Sequence, residues 1–376
     1  MLIFAAILAI FVYGIVAAML GTIMPTFTNL TGEEKGYIAL AQALGLIIAS
    51  LSAGPIIDNK GKKTALVAGL GLITISLFWL PNTGGQYIQL LCAILLLGLG
   101  GGIIVTGANA LVSDINPARR GSVLNFLNLF FGLGGLATPS IAANLLGGDT
   151  VKLAYTAAGL TAFTFLVHIF TPMPPPSGER GFKMSEAGEV LGRPALWLLC
   201  AFMFLYVASE VGVWNWLAQY LTSRGIALGR AQNILAFGFA LGLLVGRVAV
   251  APILTKVAGA TVTLCAAVLM AITTYVMLGS SDPTIAWIAV FCAGLAMAPV
   301  FPTTLAIVGD AFPKGTATAM GIVITFGWIG LAVSSPIIGA IAGKDMSNLG
   351  TALLLLPAFA AVMVAINLAL RPALKK

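Results

Sequence analysis

The residues best suited to chemistry lie in one stretch of this 376-residue chain, Phe202 to Tyr220, read as FMFLYVASEVGVWNWLAQY. Glu210 sits at its middle, the one acid placed inside any apolar run of membrane length. A carboxylate at bilayer depth costs about 2.5–3.5 kcal/mol on insertion scales unless it is protonated or paired. A proton, a cation or a hydrogen-bonding partner must therefore compensate for it. Trp214, four residues on, shares its helix face, and Asn215 with Gln219 forms a second such pair. Aromatic planes and amides suit a polyhydroxy ligand, and an acid that gains and loses charge suits coupling to an ion. Taken alone, Glu210 also reads as a structural acid bonded to a neighbouring helix. The default for an intramembrane ionisable group is functional.

The surroundings support that default. The chain is 59% hydrophobic and 8% charged, with a mean hydropathy of +1.04, whereas a soluble domain carries about 25% charged residues. Twelve apolar runs of about 20 residues account for most of it, which predicts an all-α membrane protein with short loops. No soluble catalytic domain fits in the remainder. Nor is there an assembled nucleophile–base pair, metal cluster or phosphate loop, so the sequence predicts neither an enzyme nor a cofactor.

The net charge of +7 raises the possibility of nucleic acid, but placement of the charges argues against it. With a cytoplasmic N-terminus and alternating runs, inner loops and tail hold fourteen Lys and Arg, Lys60, Lys62, Lys63 and Arg247 among them. The outer loops hold five: Lys35, Lys152, Arg224, Arg230 and Lys344. That asymmetry is a topology signal. It predicts a multi-pass protein of the cytoplasmic (inner) membrane with both termini inside. Cys92, Cys200, Cys265 and Cys292 fall in apolar runs without CxxC spacing and read as small buried hydrophobes, with no disulfide or metal site expected. The first run lacks a basic leader and reads as a retained helix.

Along the chain, the runs pair into two sets of six. Residues 1–171 make one bundle, 172–193 a Pro-rich cytoplasmic linker and 194–376 a second bundle. Between the second and third runs lies GPIIDNKGKK, Gly54 to Lys63, in which Gly61 turns the chain. Gly98 to Gly102 make a glycine run in mid-membrane that implies backbone-close helix packing, and Pro299 with Pro302 predict a kink in the tenth run. His168 lies near the inner surface and reads as a packing residue. The two halves also overlay. Gly98-Leu99 through Asp114 and Pro117 matches Gly294-Leu295 through Asp310 and Pro313 without a gap, and Phe131-Gly132 with Gly135-Leu136 matches Phe326-Gly327 with Gly330-Leu331. Two weakly repeated six-helix halves are the architecture of many secondary transporters, whose sites lie at the midplane between halves.

GPIIDNKGKK fills every position of the loop signature Gly-x-x-x-Asp-x-x-Gly-(Arg/Lys)-(Arg/Lys), and the chain thereby resembles the major facilitator superfamily. The resemblance implies a conformational latch at Gly54, Asp58, Gly61, Lys62 and Lys63. Three further stretches, Asn109–Leu136, Tyr206–Leu221 and Gly294–Pro313, are similar to the fucose–galactose–glucose:proton symporter family. That likeness implies alternating-access transport of a hexose, coupled to protons or sodium. The fucose permease of that family has acids in helices 1 and 4, and the corresponding runs here have none, so Glu210 would carry coupling alone. Asn128, Asn215, Gln219, Trp214 and Trp328 could meet the sugar, with Gln42 and Asn109 nearer helix ends. Each amide is equally suited to an interhelical hydrogen bond. The partners expected are a small sugar and the lipid bilayer, for a monomer that binds no nucleic acid. A drug or metabolite exporter of the same superfamily is the alternative, since an acid beside aromatics also suits a lipophilic cation.

Overall fold

The computed structural model describes residues 2–115, 120–173, 191–254, 256–279, 282–312 and 316–374. Among them, twelve helices are long and apolar enough to cross a membrane: α1 Leu2–Thr26, α2 Gly32–Ala53, α3 Lys60–Asn82, α4 Tyr87–Asn109, α5 Phe126–Asn144, α6 Thr150–Phe170, α7 Pro194–Ser223, α8 Leu228–Leu254, α9 Gly259–Gly279, α10 Thr284–Ala311, α11 Gly321–Ala342 and α12 Leu349–Ala373. The chain is an all-helical, multi-pass membrane protein, as the hydropathy predicts. Within a bilayer this is the expected solution, because each helix satisfies its own backbone hydrogen bonds.

Polar residues set the helix ends where apolar character cannot. Thr31 and Glu34 form a reciprocal capping box ahead of α2: the Thr31 N–H donates to Glu34 Oε2 at 2.8 Å and the Glu34 N–H to Thr31 Oγ1 at 3.2 Å. The Asp282 carboxylate accepts from the N–H groups of Thr284 and Ile285 before α10. Asp149 does the same for Lys152 before α6. The connection between α2 and α3 is tighter than a loop. Helical geometry runs from Gly32 to Trp79 and is broken at Gly61, whose φ of 82° and ψ of 159° are open to glycine and to few other residues. Among the described residues, α12 is interrupted at Leu354, between Leu349–Leu353 and Leu355–Ala373, and two further helices depart from regular winding. In α10, Pro299 separates Pro283–Met297 from Val300–Ala311, the kink its prolines predict. In α8, Leu235–Ala240 winds as a π-helix, which nothing in the hydropathy pattern predicts.

The chain divides into two units, one of Met1–Asn29, Tyr37–Gly181 and Ala227–Ala236, the other of Leu30–Gly36, Phe182–Ile226 and Phe237–Lys376. Each takes one short piece from the opposite half of the sequence. In the second unit that piece starts α2 and packs on the end of α11: the Gly32 N–H donates to the Gly343 carbonyl at 3.2 Å, and a Cβ on Gly339 would stand 2.2 Å from the Gly32 oxygen. In the first unit it starts α8, where Gln232 Nε2 donates to the Thr22 carbonyl and the Asn233 and Asn144 amides pair reciprocally at 2.7 and 3.0 Å.

The sequence repeat reappears as a repeat of packing. In the first unit a Cβ on Gly98 of α4 would meet the Gln42 carbonyl oxygen of α2 at 2.2 Å, and one on Gly45 the Leu95 oxygen at 2.4 Å. In the second, Gly294 of α10 and Gly242 of α8 face the Phe239 and Phe291 oxygens, each at 2.3 Å. Gly134 against Phe11 and Gly330 against Phe204 repeat the relation for α5 on α1 and α11 on α7.

Several expectations meet a different structure. Cys200 alone of the four cysteines is buried; Cys92, Cys265 and Cys292 are exposed, on helix faces that apolar lipid can cover. Arg247, counted with the inner-loop charges at the end of the eighth run, stands inside α8, about two turns before its end at Leu254. Position 54, the side chains of Asp58 and Asp114, and residues 174–190 of the linker lie outside what is described. Lys62 is buried and Lys63 half-buried.

Candidate functional site

In the second unit, α7 carries the polar content its sequence promises. Tyr206, Glu210 and Trp214 follow one another at four-residue intervals and so line one face. Glu210 is 9% exposed. The Tyr206 hydroxyl, on the turn before it, stands beside the Glu210 carboxylate and within electrostatic reach of the Arg247 guanidinium. A carboxylate, a phenol and a guanidinium thus share one neighbourhood. Sequence reading misses Arg247 because it stands near the end of an apolar run. The signal that could find it is its distance from the next true breaker, the Lys256 turn.

Trp214 packs on Phe239 of the π-helical segment, ring centroids 5.1 Å apart and edge-on at 77°. Single π-turns inside α-helices recur at functional sites, and this one supports the aromatic wall next to the acid. Between Tyr206 and Trp216, α7 holds four fully buried polar atoms without a hydrogen-bond partner: Trp214 Nε1, both amide atoms of Asn215 and Trp216 Nε1. A buried unsatisfied polar atom costs about 1–3 kcal/mol, so a helix rarely collects them without a use. They do not all point one way. Asn215 lies away from the Glu210 face, and Gly212, one turn before Trp216, faces Leu356 of α12. In α11, Trp328 is half-buried and its Nε1 is likewise unpartnered.

The remaining amides are committed to varying degrees. Gln219 Oε1 accepts from Lys35 Nζ at 3.0 Å. Gln42 Nε2 donates to the Val16 carbonyl of α1 at 3.3 Å, and Asn109 Nδ2 to Val105 of its own helix at 2.7 Å. Asn128 is half-buried in the first unit. The structure therefore gathers Glu210, Trp214 and Arg247 about α7, and gives Gln219, Gln42 and Asn109 protein partners. His168 is buried, its Nδ1 2.8 Å from the Thr164 carbonyl. Among the described residues no cluster of His, Cys, Asp and Glu could hold a metal.

The Lys35–Gln219 contact makes its own prediction. Lys35 is only 2% exposed, so its ammonium depends on Gln219. Replacing an acceptor under a buried charge leaves that charge unpaired, whereas replacing the charge by an apolar group of similar shape does not. Gln219→Leu is expected to cost about 1–3 kcal/mol and Lys35→Met less than half of that, read as the order of Tm values of the purified variants. An equal loss in both would show that the contact is not what orders this end of α2.

Twelve spanning helices in two units, the second burying an acid, a guanidinium and unpartnered amide and indole groups, are the features a membrane transporter needs. Over residues 2–260 the sequence matches the family profile described as Major Facilitator Superfamily. The chain belongs to that superfamily and is a transporter, not an enzyme. Among its relatives, the yeast Saccharomyces cerevisiae protein named bypass of stop codon protein 6 is 20% identical, over 90% of this chain and 76% of that one. The quinolone resistance protein NorA of Staphylococcus aureus is 26% identical over 42% of this chain and 41% of its own length. Among solved structures, the nucleoside transporter NupG superposes with a TM-score of 0.81 at 13% identity, covering 98% of this chain and all of that one. The E. coli fucose:proton symporter FucP gives 0.69 at 17%, covering 98% of each. At such identities the likeness is one of fold.

Proposed function

We propose that this chain is a secondary active transporter of a small polyhydroxy solute, a hexose or a close relative, and that Glu210 loads the coupling proton or sodium ion. The observation that carries the reading is the placement of Glu210 beside Tyr206 and within the same neighbourhood as Arg247, with the unpartnered Trp214 indole on the same face of α7. Sugar hydroxyls satisfy such groups, and indole faces cover the apolar C–H face of a pyranose. Neutralising the acid changes its balance with Arg247, and that difference biases one conformation over another. The fold shared with FucP and the resemblance of Asn109–Leu136, Tyr206–Leu221 and Gly294–Pro313 to sugar symporters agree with this. Trp214, Asn215 and Trp328 are the proposed contacts in the second unit, Asn128, Gln42 and Asn109 those in the first, with Gln219 bound to Lys35 until substrate displaces it. The GPIIDNKGKK turn is the proposed latch, and the membrane the cytoplasmic one with both termini inside.

Arg247 joins the site as the charge that balances Glu210. Arg247→Lys is expected to retain uptake and Arg247→Gln to lose more than about tenfold, since a buried charge without its counterpart costs several kcal/mol. Initial uptake rates in proteoliposomes decide it, and equal rates in both variants would remove Arg247 from the site.

The relation to NorA favours one second reading, an exporter that takes a lipophilic cation to Glu210 and the indoles. A panel of labelled hexoses and lipophilic cations, assayed in proteoliposomes with and without proton and sodium gradients, separates the two. Saturable hexose uptake supports the first reading, and cation flux without any hexose uptake overturns it in favour of the second.

A further inference from the structure

A second polar site lies in the same unit, away from Glu210, where α7 ends and α12 begins. It is a pocket of about 660 Å³ between the ends of α7 and α9, the turn after α11 and the first turns of α12. The Tyr220 hydroxyl donates to the Leu278 carbonyl and ties α7 to α9 at its floor. Its wall carries one cation, Arg224, and one carboxylate, Asp345. Asp345 Oδ1 accepts from the Ser347 hydroxyl at 2.8 Å and the Ser347 N–H at 3.2 Å. Those two donors, with its own backbone N–H, hold its carboxyl below the usual carboxylate range.

The rim is two-sided. The loop 343–348 is polar, whereas Tyr275 on α9 is 64% exposed and Leu354 on α12 is 44% exposed, both on membrane-spanning helices. Tyrosine at the end of a spanning helix is the anchor expected at headgroup level. A ligand that suits this pocket is therefore amphiphilic, with a positive and a negative group at one end.

We infer that the pocket binds an aminophospholipid headgroup, the phosphate against Arg224, the primary ammonium against Asp345, and the acyl chains running past Tyr275 and Leu354. Guanidinium pairs well with phosphate oxygens. Asp345, exposed at the rim, can accept from an N–H donor, which phosphatidylethanolamine has and phosphatidylcholine lacks. The same chemistry is present in free phosphoethanolamine, but that molecule makes no use of the apolar rim.

The test is lipid retention by the purified full chain, read by native mass spectrometry from mixtures of phosphatidylethanolamine, phosphatidylglycerol and phosphatidylcholine. Wild type is expected to retain phosphatidylethanolamine about tenfold over the other two, the discrimination one charge-assisted hydrogen bond supplies. Arg224→Gln is expected to weaken retention of both phosphatidylethanolamine and phosphatidylglycerol. Asp345→Asn is expected to erase the preference between them. Both side chains are exposed, so the variants should fold, and Tm values equal to wild type check that. Equal retention of the three lipids by wild type, or a preference that survives both substitutions, would overturn the inference. Displacement of the lipid by millimolar phosphoethanolamine, with no advantage for the lipid, would also overturn it and assign the pocket to a soluble zwitterion.

Discussion

Glu210→Gln is expected to abolish uphill uptake while leaving exchange of substrate across the membrane intact. For one ion per substrate, a gradient of one pH unit supports an accumulation ratio of about tenfold, because 1.4 kcal/mol is a factor of ten in an equilibrium. A membrane potential of 100 mV adds about 2.3 kcal/mol per charge moved. The amide keeps the size of the acid and stands in for its protonated form, with one accepting oxygen and one donating nitrogen, but its charge never changes, so the gradient has nothing to act on. Accumulation then falls to a ratio of about one, while labelled substrate still equilibrates in exchange. The measurement is a pair of assays on the same proteoliposomes, gradient-driven uptake and exchange. Undiminished accumulation in Glu210→Gln would end the coupling role. Loss of both activities with an unchanged Tm would move Glu210 from ion loading to substrate contact.

Glu210 is legible in the sequence alone, and the reason is physical. An acid in an apolar run is a local contradiction, visible without knowing what surrounds it. Glycine spacing is legible for the same reason: a residue without a side chain in a lipid-length helix has few uses besides close approach, and Gly98 and Gly294 serve that use in both units. Partnership is not legible. Nothing near Gln219 in sequence points to Lys35, 184 residues away. Gln42 and Asn109 look alike in sequence, yet one reaches α1 and the other its own helix. Arg247 is misplaced by its sequence context because a charge near the end of an apolar run satisfies the positive-inside pattern equally from either side of the boundary. The π-helical turn at Leu235–Ala240 has no breaker within it except Gly238, so hydropathy passes over it. What the sequence withholds is which side chains meet, and the site depends on that.

The glycine pairs give the second large effect. At Gly294 a methyl group would sit 2.3 Å from the Phe239 carbonyl oxygen and 3.0 Å from the Leu243 nitrogen, both backbone atoms. Neither can rotate aside, so α8 and α10 must separate along the whole contact. Overpacking usually costs about 1–3 kcal/mol, and here the obstacle is rigid, which places Gly294→Ala at the upper end. Gly98→Ala meets the same obstacle at the Gln42 oxygen in the first unit. The controls are built into the chain. A Cβ on Gly159 of α6 or Gly321 of α11 would touch nothing within 4 Å, and alanine there gains up to about 1 kcal/mol from helix propensity. Thermal unfolding of the four purified variants should therefore split cleanly, Gly294→Ala and Gly98→Ala melting well below wild type and the other two at or above it. A matching loss in the two units is required if they repeat one packing plan. If Gly294→Ala melted with wild type, the backbone-close contact of α8 and α10 would not be a source of stability, and the repeat would be one of sequence alone.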